Sequence, residues 1–248
     1  MVYFALTLFW GTRLAAETIG DEVRGRTWDL QRMSAIGPWQ MTWGKLFGAT
    51  AFAWYGGVIC LAVYMFAAGG MPGIGGATVA TGLAAASVLL HAFAMAVTLQ
   101  SVRKGPGNGA RWASFLPVLL FLGVGPGLVS FAVRSASLTW YGVTFDTADF
   151  LLASTVVFSA WAVFGAYRVM CVELQVRTTP LAWCAFTLFL SAYVAGFPGA
   201  QAGAGIGVFS YLCVSGLAVS IALSYVMLFS EQNSAMGLRR VLLRAGKS

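Results

Sequence analysis

Residues 78–100 read TVATGLAAASVLLHAFAMAVTLQ, a run with no Asp, Glu, Lys or Arg and with His91 as its one ionisable side chain. A hydrocarbon core about 30 Å thick is crossed by about 20 mostly apolar helical residues, so this run is long enough to span a bilayer. Five further runs of the same character occupy residues 43–68, 112–133, 150–167, 181–197 and 205–229, and Lys45 is their only charged residue. Backbone polar groups cannot be left open in lipid, which makes helices the natural form of these runs, and they lack the alternation of a membrane barrel strand. With 59% hydrophobic and 9% charged residues and a mean hydropathy of +0.79, the chain has too little polar surface to coat a water-facing globule. The expected fold is all-α, a polytopic transmembrane helix bundle of six full spans forming one domain over residues 1–248.

Residues 1–12 are apolar but only half a span long, and Arg13 follows them at once. A signal peptide carries its positive charge before the apolar region, so these residues read as the tail of a spanning helix whose start is truncated or mis-assigned. Positive residues are held on the cytoplasmic side of a membrane. All of the 15 basic residues except Arg134 fall before or at the very start of the first full span, in the second and fourth connections, or in the tail 230–248. That alternation predicts a cytoplasmic carboxyl terminus, and it assigns the net charge of +7 to topology rather than to nucleic acid. Cys60, Cys171, Cys184 and Cys213 show no CxxC spacing and read as four free thiols.

The most polar stretch, residues 13–45, reads RLAAETIGDEVRGRTWDLQRMSAIGPWQMTWGK. Ile19, Val23, Leu30 and Met33 recur at near-helical spacing, with Asp21, Glu22, Arg24, Asp29 and Arg32 spread elsewhere around the helix. This pattern predicts amphipathic helices lying along the membrane surface over residues 13–42. A break is expected at Gly25 and a turn at Gly37-Pro38, with Trp39 and Trp43 as interface anchors ahead of the span.

The same residues resemble the cytoplasmic signature of type-2 ABC exporter permeases. There an E-R-x-x-G-T pattern leads to two or three apolar helix positions, a Ser or Pro turn, and G-K at the next helix. Glu22, Arg24, Gly25, Thr27, Leu30, Ser34, Gly44 and Lys45 fit that pattern, whereas Arg26 interrupts Arg-Gly-Thr and Trp28-Asp29-Leu30 stands where Leu-Glu-Leu is usual. The resemblance implies a membrane-spanning permease subunit of an ATP-driven exporter in the bacterial cytoplasmic (inner) membrane. Residues 13–42 would then be a coupling element seated on a cytoplasmic ABC ATPase subunit through Glu22, Arg24, Gly25, Thr27, Leu30 and Met33. It also implies a second permease chain, identical or paralogous. The bland alternative is a helix that rests on lipid headgroups. No G-x-x-x-x-G-K-[ST] loop exists in this chain, so the ATPase would be a separate polypeptide and this chain no enzyme.

Remaining features are weaker. His91 has no second His and no acid at ligand spacing, so it reads as a neutral imidazole bonded between helices rather than a metal ligand, with a substrate-pathway or proton-relay role as the alternative, and no cofactor is expected. Gly123, Gly125, Pro126 and Gly127 crowd one predicted span, either as a hinge or pathway lining or as close helix packing. Trp140 and Tyr141 read as interface aromatics on an extracytoplasmic connection, Glu173 and Arg177 as an i, i+4 pair, and the basic tail as a helix on anionic lipid. A membrane-embedded enzyme would need paired acids or an activated nucleophile, which the spans do not offer. A non-transporting membrane scaffold or assembly factor is the alternative function.

Overall fold

In the computed structural model, residues 2–25, 27–34, 36–68, 75–103, 123, 127, 130, 136–176, 178–179, 181–197 and 213–222 are described. A π-helical segment, Phe4–Gly11, runs unbroken into α1, Thr12–Arg24. Next come α2, Trp28–Arg32, and α3, Pro38–Trp43, which continues as a second π-helical turn, Gly44–Gly48, before α4, Ala51–Ala68. The long helix α5 covers Gly76–Arg103. Strands β1, Ser137–Trp140, and β2, Val143–Asp146, form a hairpin ahead of α6, Thr147–Glu173. Two shorter apolar helices follow: α7, Leu181–Ala195, and α8, Cys213–Ala222. The all-α class therefore holds, with a small hairpin added.

Among the described residues two helices, Gly76–Ser101 and Thr147–Glu173, are long and apolar enough to cross a membrane, or three if Pro38–Gly48 and Ala51–Ala67 count as one broken span bent by 56°. Six full spans are not seen among the described residues. The run at 181–197 makes a helix of only 15 residues, and the runs at 112–133 and 205–229 lie largely outside the described residues. The first run is broken rather than straight for local reasons. Gly44 and Gly48 bound a wide π-helical turn, and Thr50 Oγ1 donates to Leu46 O at 2.6 Å, a back-bond that bends helices.

The chain divides into two compact units, Met1–Leu138 with Thr144–Thr179 and Thr139–Val143 with Pro180–Ser248. In the first, α5 is the central helix. Tyr3 Oη lies 2.9 Å from Ser87 Oγ, and His91 Nε2 donates to Thr7 O at 2.9 Å; the pairs advance together, so the amino-terminal helix runs parallel to α5. Thr7 Oγ1 donates to Ala53 O at 3.3 Å, and a Cβ on Gly57 would strike Thr7 and Tyr3, so α4 runs antiparallel to the same helix at close range. A Cβ on Gly82 would lie 3.7 Å from Leu152, while Met95 and Leu99 share a core with Val163 and Met170. Helices α5 and α6 are thus parallel.

In the second unit the hairpin tip covers the end of α7. Tyr141 and Gly142 both have positive φ, 49° and 78°, as a two-residue type I′ turn requires. Trp140 Nε1 donates to Tyr193 O at 3.1 Å, Tyr141 Oη to Ala192 O at 2.7 Å, and the Tyr141 amide to Gly196 O at 2.8 Å. Those carbonyls stand at a helix carboxyl end, where no further turn of helix can satisfy them. Ser215 Oγ on α8 donates to Ser191 O on α7 at 3.2 Å.

Candidate functional site

The polar stretch ahead of the spans is built from α1 outward. Thr12, Ala15, Ala16 and Ile19 are buried at i, i+3, i+4 and i+7, and the small alanines let this stripe approach α5 closely. Ile19 is fully buried in the core with Met95 and Leu99, a burial that contributes about 1.5–3 kcal/mol. The opposite face is charged: Arg13 Nε pairs with Glu17 Oε1 at 2.7 Å, and Arg24 pairs with Asp21. The expected helix lying on lipid is corrected here, because the apolar stripe of α1 is spent on the protein's own α5. The apolar set itself divides, with Ile19 and Val23 turned inward and Leu30 and Met33 outward.

Helix α1 ends at Gly25, whose amide donates to Asp21 O at 2.7 Å; a Cβ there would come within 3.2 Å of the same oxygen. The Thr27 amide donates to Glu22 O at 3.0 Å, closing a six-residue turn of the kind that satisfies terminal helix carbonyls, and its hydroxyl adds a second bond at 3.2 Å. Arg26, between them, lies outside the described residues.

Glu22 is the node of the site. Its backbone oxygen holds Thr27, while its carboxylate accepts from Lys45 Nζ and, at 3.0 Å, from Gln31 Nε2. Lys45 Nζ donates again to Gln31 Oε1 at 2.9 Å and stands 5.2 Å from the centre of the buried Trp28 ring. Above this network, α2 presents Leu30 and the residue that ends it, Met33, 66% and 76% exposed. Arg24 and Thr27 are exposed beside them. Asp29, Arg32 and Met33 also line an open cleft of roughly 370 Å³ with Leu174 and Gln175, from the turn after α6.

Sequence reading placed Glu22, Arg24, Gly25, Thr27, Leu30 and Met33 together, and they are neighbours along one helix–turn–helix. It missed Gln31, Trp28 and the Leu174–Gln175 turn. A lysine at the head of an apolar run was the available signal for a buried carboxylate partner, since such a charge must be paired. Nothing in the local pattern pointed to Leu174.

The remaining candidates lie apart from this site. His91 is fully buried, edge-on to Trp54 with centroids 5.6 Å apart, in the packing between α5, α4 and the amino-terminal helix. Gly123 and Gly127 have helical backbone, and a Cβ on either meets nothing within 4 Å among the described residues; Gly125 and Pro126 lie outside them. Arg177, the expected partner of Glu173, also lies outside. Among the described residues no group of three or more His, Cys, Asp or Glu is placed to hold a metal ion. Compared with protein-family models, with curated proteins and with solved structures, the chain gives no match.

Proposed function

We propose that this chain is the membrane-spanning permease subunit of an ATP-driven ABC exporter, in which residues 13–42 receive movement from a separate cytoplasmic ABC ATPase subunit. The observation that carries the reading is the contrast across α2. Trp28, Gln31 and Glu22 fix the helix from beneath, while Leu30 and Met33 stand free on its outer side. A lever that transmits force needs such a rigid base and an adhesive tip; a helix merely resting on headgroups has no need of the part-buried Glu22–Lys45 pair.

Topology supports the same reading. Parallel α5 and α6 bring their basic ends, with Arg103 and Arg168, to one side, and the apolar run 112–133 is the sequence candidate for the crossing between them. The outward residues of α4, among them Phe52, Tyr55, Val63 and Phe66, suit lipid or the second permease chain. The test is isolation of the chain from its native membrane under mild conditions. The exporter reading expects co-purification of a Walker-A protein whose ATP hydrolysis changes when Leu30→Asp and Met33→Asp are introduced. A scaffold expects no such partner, and its consistent absence would defeat the proposal.

A further inference from the structure

Lys45 is 8% exposed and Glu22 20%, and the two lie 23 residues apart on different elements. Gln31, from a third element, bonds to both. Between them the carboxylate, the amide and the ammonium satisfy one another, with the Trp28 ring facing the ammonium, so little is left for water to do. Among the described residues the other ion pairs of the segment, Arg13 with Glu17, Asp21 with Arg24 and Asp29 with Arg32, are largely exposed and local to one helix. Lys45 also sits within the π-helical turn that leads directly into the 56° bend.

We propose that Glu22, Gln31 and Lys45 form a joint that makes α2 and the bent first span move as one body. On this view Glu22 is a positioning residue, turned inward, and the docking contacts are Leu30 and Met33. The inference rests on the coupling reading for its purpose, though not for its test. Removing one member of a sheltered pair leaves a charge without a charged partner, so α2 should come loose from the π-helical turn Gly44–Gly48 while the α5–α6 core stays intact. Exchanging the two charges keeps the pair.

The experiment uses the full chain with Cys60, Cys171, Cys184 and Cys213 replaced by alanine. Nitroxide labels at Leu30→Cys and Phe66→Cys report α2 against α4, and labels at Phe93→Cys and Phe164→Cys report α5 against α6. The expected result is a narrow distance distribution at both pairs in the parent. Lys45→Met and Glu22→Gln should each lose the narrow Leu30–Phe66 distribution while the control pair is unchanged, and Glu22→Lys with Lys45→Glu should recover it. An unchanged Leu30–Phe66 distribution in Lys45→Met overturns the joint, and so does broadening of both pairs, which would mean a general structural role. With a co-purified ATPase, ATP should shift the Phe66–Phe93 distance, and Lys45→Met should lose that shift while hydrolysis persists; a shift that survives overturns the joint. Failure to find any ATPase would remove the coupling reading alone, because the label distances are read on this chain by itself.

Discussion

The imidazole of His91 occupies the space that a side chain on Gly11 would need. A Cβ built at Gly11 would lie 2.7 Å from His91 Nε2, the same nitrogen that donates to Thr7 O. Glycine at 11 and histidine at 91 are therefore two halves of one packing solution. The π-helical segment Phe4–Gly11 widens the backbone around Thr7, and a side-chain donor from α5 takes up one of its carbonyls.

Gly11→Leu should displace the ring and destabilise the bundle by about 1–3 kcal/mol, the usual effect of overpacking a filled site. His91→Leu should cost a similar amount, about 1–3 kcal/mol, by leaving the Thr7 carbonyl without its donor. Thermal loss of the monodisperse species in detergent measures both, and a Gly11→Leu variant as stable as the parent would contradict the packing described.

For the ion pair the expectation is a non-additive cycle. Lys45→Met alone should destabilise by about 1–3 kcal/mol, whereas Lys45→Met with Glu22→Leu should recover part of that loss, because removing both partners leaves no charge unpaired at this half-sheltered site. Simple additivity in the same unfolding assay would mean that the two side chains do not interact.

Leu30→Asp and Met33→Asp should leave stability within about 0.5 kcal/mol, since neither side chain is buried. Their effect should fall on partner binding instead. A loss of stability with no change in co-purification would reverse that assignment.

Cysteines placed at Met33 and Val143, both exposed, report the orientation of the chain. In intact cells a membrane-impermeant maleimide should label Val143→Cys and reach Met33→Cys only after permeabilisation. The opposite pattern would invert the proposed topology.

Helical class and the boundaries of the polar stretch were legible in the sequence because they depend on composition and on local turn chemistry. Gly25 ends α1 and Gly37-Pro38 opens α3 where those residues stand in the chain. The fate of the apolar stripe was not legible. Ile19 and Leu30 have the same periodicity, yet one faces α5 and the other faces outward, a difference decided by the turn at Gly25 and by helices many residues downstream. The inward turn of Glu22 was hidden for the same reason, its partner being 23 residues away. The hairpin at Ser137–Asp146 was missed because its aromatic tip, Trp140-Tyr141-Gly142, matched the composition of an interface belt equally well.

The cover that the hairpin places over α7 bears on the membrane itself. A helix of 15 residues is only about 22 Å long, well short of the hydrocarbon thickness, and would normally have to bring its open end up to water. Trp140 and Tyr141 satisfy three of those terminal oxygens, so these three carry no cost of their own if the end rests below the headgroup level. The leaflets beside it are then spared the thinning that so short a segment otherwise forces.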